Sequence, residues 1–108
     1  ERGNEFAFSL VEQRMKHSDR EVRISGVGAM CEVGEWRAEN VIFVLGECLE
    51  DESRKVQDAA VDALGLMGGR GDKYTFFTVG SRLEHPEASV RCAAVNAMAK
   101  VAVLKDEE

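Results

Sequence analysis

Proline is close to absent from this chain, a single residue in 108, and aromatic side chains make up only 6% of it. Strand-rich folds need β-branched and aromatic residues in quantity. Here such enrichment is confined to two short runs, whereas Ala, Leu, Met and Glu are plentiful, so helix is the base expectation. Long apolar stretches are lacking as well. The longest, Val41 to Gly46, falls far short of the roughly 18–20 residues that cross a bilayer, and no basic-then-apolar leader opens the chain. Cys31, Cys48 and Cys92 form no CxxC pair and cannot all pair with one another. That spacing suggests neither a disulfide framework nor a zinc knuckle, and points to a reduced, cytoplasmic setting. Glu1 in place of a methionine is what a trimmed or excised piece would show. A continuous basic surface is also missing. Net charge is −6, and residues 35–68 carry 3 basic and 8 acidic groups against 5 and 3 in 69–102. Duplex nucleic acid and anionic membrane therefore fit poorly as main partners, and a protein with a basic segment fits the acidic middle better.

What the chain does have is internal repetition. The stretch Val56-Gln57-Asp58-Ala59-Ala60-Val61-Asp62-Ala63-Leu64-Gly65-Leu66-Met67-Gly68 recurs in the same frame as Val22 to Met30 and as Val90 to Met98, one constant step away on each side. At 100° per residue, Val56, Ala59, Ala60, Ala63, Leu64 and Met67 gather on one side of a helix and Asp58 and Asp62 on the other. A second set at the same step precedes it: Phe8, Val11 and Met15, then Ile42, Leu45 and Leu49, then Phe76, Val79 and Leu83. Each unit is thus expected to be a helical hairpin. The intervening turns hold His17-Ser18-Asp19, Asp51-Glu52-Ser53 and His85-Pro86-Glu87, helix-starting residue types, with Ser18 and Glu21 spaced as a capping box. Gly34 and Gly68 stand where a helix end favours φ > 0, and Gly69 and Gly71 loosen the second inter-unit connection. Helices are predicted at about 5–16, 19–33, 38–50, 53–67, 72–84 and 87–104.

A 34-residue period also fits the tetratricopeptide repeat, but the Trp-Leu-Gly-Tyr type series and the large aromatic of that motif are not at the proper offsets in all units. The shared pattern, Leu-x6-Val-[Arg/Gln]-x-x-Ala-x-x-Ala-Leu-Gly-x-x-Gly, resembles the HEAT-like repeat in the variety also found in phycobilin lyases. Leu49, Val56, Ala60, Leu64 and Gly68 carry it in the middle unit, and Leu83, Val90, Arg91, Ala94 and Met98 in the last. The first unit departs from it, with Ile24, Gly26 and Gly28 inside the helix, where alanine would be better by up to about 1 kcal/mol per glycine. In this family the position of Arg23 and Arg91 usually braces neighbouring turns against an acidic partner, and Asp19–Arg23 and Glu87–Arg91 are also i,i+4 pairs. Gln57 interrupts that ladder. The resemblance implies an all-α fold, an α-α superhelix or right-handed solenoid of three 34-residue hairpins of the HEAT-like or ARM type. Its units would be 1–34, 35–68 and 69–102 in one domain, with a tail at 103–108.

Few residues offer chemistry. His17, Asp51 and His85 share one repeat position, yet stacked helices lie about 8–10 Å apart, too far for all three to hold one ion at about 2 Å. The deoxyhypusine hydroxylases, which resemble this repeat, hold iron with His-Glu pairs. The matching places here are Ile24-Ser25, Asp58-Ala59 and Cys92-Ala93, so the ligands are missing. Arg70-Gly71-Asp72 spells an integrin-type tripeptide, a weak three-residue signal better explained as an inter-repeat turn whose Asp72 caps the next helix. Trp36 is expected to cover a repeat junction, or else to serve as a binding anchor. No cofactor, metal or catalytic set is assigned.

The functional expectation falls on the free stripe of the second helices, which line the concave side in HEAT-like arrays. It comprises Ile24, Gly28 and Cys31, then Asp58, Asp62 and Gly65, then Cys92, Asn96 and Ala99. Of these, Ile24, Cys31, Asp58, Asp62, Cys92 and Asn96 are the candidate partner-binding residues of a non-catalytic protein-interaction scaffold. The rival expectations are a lyase-type accessory protein holding a cofactor or chromophore in the groove, and a structural segment of a larger repeat protein. Phe6, Phe8, Leu10 and Val11 at one end, and Ala94, Met98, Val101, Val103 and Leu104 at the other, exceed what one inward face needs. End-to-end self-association, or continuation in a longer array, is the corresponding expectation.

Overall fold

Six helices stand among the described residues, 2–34, 38–67 and 72–106, of the computed structural model. They are α1 (Arg2–Arg14), α2 (Arg20–Val33), α3 (Ala38–Cys48), α4 (Arg54–Met67), α5 (Asp72–Gly80) and α6 (Ala88–Asp106). The expected helices are all present, but the first helix of each pair stops short of its predicted end. The cause lies in the turn chemistry. After α1, Lys16 N–H donates to Gln13 O, after α3 Glu50 N–H donates to Glu47 O, and after α5 Leu83 N–H donates to Gly80 O, at 3.0–3.1 Å. These i to i+3 bonds tighten the chain out of the α geometry and turn it toward the next helix.

Consecutive helices pack in pairs, α1 on α2, α3 on α4 and α5 on α6, and the pairs stack through α2 on α4 and α4 on α6. The result is a helical solenoid segment, a two-layered slab of 34 × 33 × 19 Å. In the layer of second helices, α2, α4 and α6 approach one another more closely than do the first helices α1, α3 and α5, so the second helices lie on the inner side of the curve. The repeat frame accounts for the core. Ile42, Leu45, Leu49, Val56, Ala60, Leu64, Val79, Val90 and Ala94 are fully buried, and Phe8, Met15 and Met67 almost so. No helix among the described residues is long and apolar enough to cross a membrane.

Two glycine expectations change. Gly34 follows α2 with φ −102° and donates its N–H to Met30 O, and no described glycine has positive φ. It is needed for room, because a Cβ there would overlap Val41. Gly26 is not a position where alanine would be better: a Cβ would stand 2.7 Å from Met15 Cγ, so this glycine sets how closely α2 approaches the turn after α1. Gly28 meets nothing within 4 Å.

Trp36, Gly68, Gly69 and the Arg70-Gly71 part of the tripeptide lie outside the described residues, as do the side chains of Asp72, Val103 and Leu104.

Candidate protein-binding surface

The turns between first and second helices are built alike from unlike residues. His17 Nδ1 accepts the N–H of Asp19 at 3.0 Å, Asp51 Oδ1 that of Ser53 at 2.8 Å, and His85 Nδ1 that of Glu87 at 3.1 Å. An acceptor just ahead of the helix is what each position requires, and imidazole and carboxylate both supply it. Arg23 then joins one pair of helices to the next. Its Nη1 donates to the carbonyls of His17 and Ser18 at 2.7 and 3.1 Å, while Nε and Nη2 grip Asp51 at 2.9 and 3.1 Å. With both side chains nearly buried, this bidentate pair orients the turn before α2 against the turn before α4. Gln57 is buried in the equivalent place and donates to Leu49 O at 2.9 Å.

Three local expectations are corrected here. Asp19, not Ser18, caps α2, its side chain accepting from Glu21 N–H. That engagement, and the pull of Asp51 on Arg23, leave no Asp19–Arg23 pair. Arg91 likewise does not pair with Glu87. It donates to His85 O and Pro86 O at 2.7 and 2.9 Å, because two carbonyls at the turn satisfy it better than one solvated carboxylate.

On the inner layer, Asp58, Asp62, Cys92 and Asn96 are exposed, as are Gly28 and Ala99. Ile24 and Cys31 are only half-exposed and pack against the core, and Gly65 is buried. The stripe therefore narrows toward α2. Its charge also differs from a bare acidic patch. Arg54 Nε lies 3.4 Å from Asp58, and Lys100 Nζ of α6 reaches Asp62 of α4 at 2.9 Å, so both aspartates already have a cation beside them. One turn past Asp62, Leu66 stands 74% exposed. Sequence reasoning missed it, although i, i+4, i+8 spacing from Asp58 places it on the same side. The outer layer carries its own exposed apolar pair, Phe43 and Phe77, at equivalent positions of α3 and α5.

Reactive chemistry is sparse. Burial and the neighbouring Asp51 and Glu47 push the Cys48 thiol up to about 12, against a slight opposing effect of Arg23, so it is not a nucleophile at neutral pH. Among the described residues no three His, Cys, Asp or Glu side chains come together as a metal site. Arg82 Nε and His85 Nε2 converge on Glu50 at 2.9 and 3.6 Å. The Arg82 contact is off the line of its N–H, and is ionic rather than a directed hydrogen bond. A family model described as HEAT repeats matches residues 44–108, more than half of the chain. No curated protein matches it significantly.

Proposed function

The chain belongs to the HEAT repeat family, and from that premise we propose that it is a non-catalytic scaffold that binds another protein along the free side of α4 and α6. The observation that carries this reading is the surface formed by Asp58, Asp62, Leu66 and Asn96, where the Lys100–Asp62 pair ties two helices into one face. Exposed ion pairs of this kind contribute little to stability, so a basic segment of a partner can displace Arg54 or Lys100 at small cost. Leu66 gives that partner an apolar anchor beside the paired charges.

The test uses the wild-type chain, Asp58→Lys with Asp62→Lys, and Leu66→Ser as baits, with mass spectrometry of what each retains. All three positions are exposed, so the fold is expected to survive. A protein held by the wild type, released by moderate salt and lost from both variants supports the proposal. Proteins held equally by all three baits place binding on another surface.

A further inference from the structure

The two ends of the described array fit each other. Valines stand at 27, 61 and 95, one repeat step apart, with exposures of 2%, 5% and 56%. Val27 lies one turn past Arg23, which reaches Asp51 of the next pair, and both Val27 and Val61 belong to the buried core. Val95 is the same knob without its hole. The hole exists at the opposite end. Val11, Val22, Gly26 and Ala29 line an open groove of about 430 Å³ between α1 and α2. The equivalent residues of the next pair, Leu45, Val56, Ala60 and Ala63, are buried, as are Val79, Val90, Ala94 and Ala97 of the last.

The charges match as well. Between the second and third pairs, Glu50 takes Arg82 and His85. One period onward from Glu50 is Glu84, and two periods back from Arg82 and His85 are Arg14 and His17, all exposed. Close approach is also provided for. Gly46 admits Thr78 Cγ2, which a Cβ would meet at 2.5 Å, whereas Gly80, its equivalent, has Met98 Cε at 3.9 Å as its nearest such neighbour.

We propose that a second copy of this chain seats head to tail, its α1–α2 groove receiving Val95 of the first copy, with Glu84 facing Arg14 and His17. Arg91 meets no carboxylate at that turn, since the head carries His17 where Asp51 stands. The contact between copies is therefore weaker than that between α2 and α4, and reversible. Such a contact is heterologous and leaves a head and a tail unoccupied on the pair, so association proceeds past the dimer. The proposal concerns a different surface from the inner face, and either can fail alone.

Sedimentation velocity over a concentration series tests it. The wild type is expected to gain mass continuously with concentration. Val95→Asp, Glu84→Arg and Arg14→Glu should each raise the concentration needed by on the order of tenfold or more. An equimolar mixture of Glu84→Arg with Arg14→Glu should recover association past the dimer, because the unaltered Glu84 of one variant meets the unaltered Arg14 of the other and, at the next contact, Arg at 84 meets Glu at 14. Circular dichroism melts check that the variants keep the fold. A wild type that stays monomeric, stops at a dimer, or associates equally well in all three variants overturns the proposal. That includes the case where a further repeat of a longer chain covers Val95.

Discussion

Arg23 and Arg91 hold the same place in their hairpins and make the same two bonds to turn carbonyls, yet one is buried and the other exposed. The difference is what lies across the boundary. Arg23 meets Asp51 on the next pair of helices, and Arg91 meets no carboxylate among the described residues. Val61 and Val95 repeat the contrast in apolar form, as do Leu64, fully buried, and Met98, half-buried. Burial in such an array is a property of neighbours rather than of the repeat motif, which is the one-dimensional logic of stacked units. Substituting equivalent positions in pairs is the direct way to break or sharpen this comparison.

The largest effect is expected at the core. Leu64→Ala empties a fully buried site on α4, the helix packed between α2 and α6, and should cost about 2–5 kcal/mol, whereas Met98→Ala should cost less than half as much. Chemical denaturation of the two variants measures the difference, and equal losses would mean that α6 is as enclosed as α4.

Next comes the buried ion pair. Arg23→Ala leaves Asp51 with its partner gone in a nearly dry site, a loss of about 3 kcal/mol, while the exposed Arg91→Ala should fall below about 1 kcal/mol. Thermal melts decide it. A third pair concerns space. Gly46→Ala must displace the branched Thr78 side chain and should destabilise by about 1–3 kcal/mol. Gly80→Ala, whose new methyl would meet only Met98 Cε at 3.9 Å, an ordinary contact, should leave the monomer unchanged or slightly more stable.

Much of this was legible in the sequence because both signals are local. The repeat period places Val56, Ala60 and Leu64 against their equivalents, and helical spacing then names the core face without any knowledge of the partner surface. The exposed aspartates and the role of the turn position shared by His17, Asp51 and His85 were readable for the same reason. What was not readable depends on geometry between units. The resemblance implied that Arg23 braces neighbouring turns against an acid, but of Asp19, one turn before it, and Asp51, in the next hairpin, only the stacking decides for Asp51. Lys100 and Asp62 likewise belong to different hairpins, so the acidic stripe looked unpartnered. Leu66 differs from both, since spacing alone puts it on the stripe, but the small and acidic character of the other members hid a large apolar residue among them.

The smallest effect comes from two glycines within one helix. Gly26 and Gly28 both weaken α2 by the same intrinsic amount, since glycine loses more backbone freedom than alanine on entering a helix, by roughly 1 kcal/mol. Their surroundings differ. At Gly26 the new methyl would press on Met15 Cγ at 2.7 Å, in a side chain that is itself buried, and at Gly28 it would meet nothing within 4 Å. Gly28→Ala should therefore stabilise the chain by up to about 1 kcal/mol. Gly26→Ala should return none of that gain or destabilise, because shifting Met15 reopens the contact of α1 with α2. Paired urea titrations give the sign of each change. A stabilising Gly26→Ala would show that the turn after α1 yields freely, and that the close approach there is incidental rather than required by the packing of the first two helices.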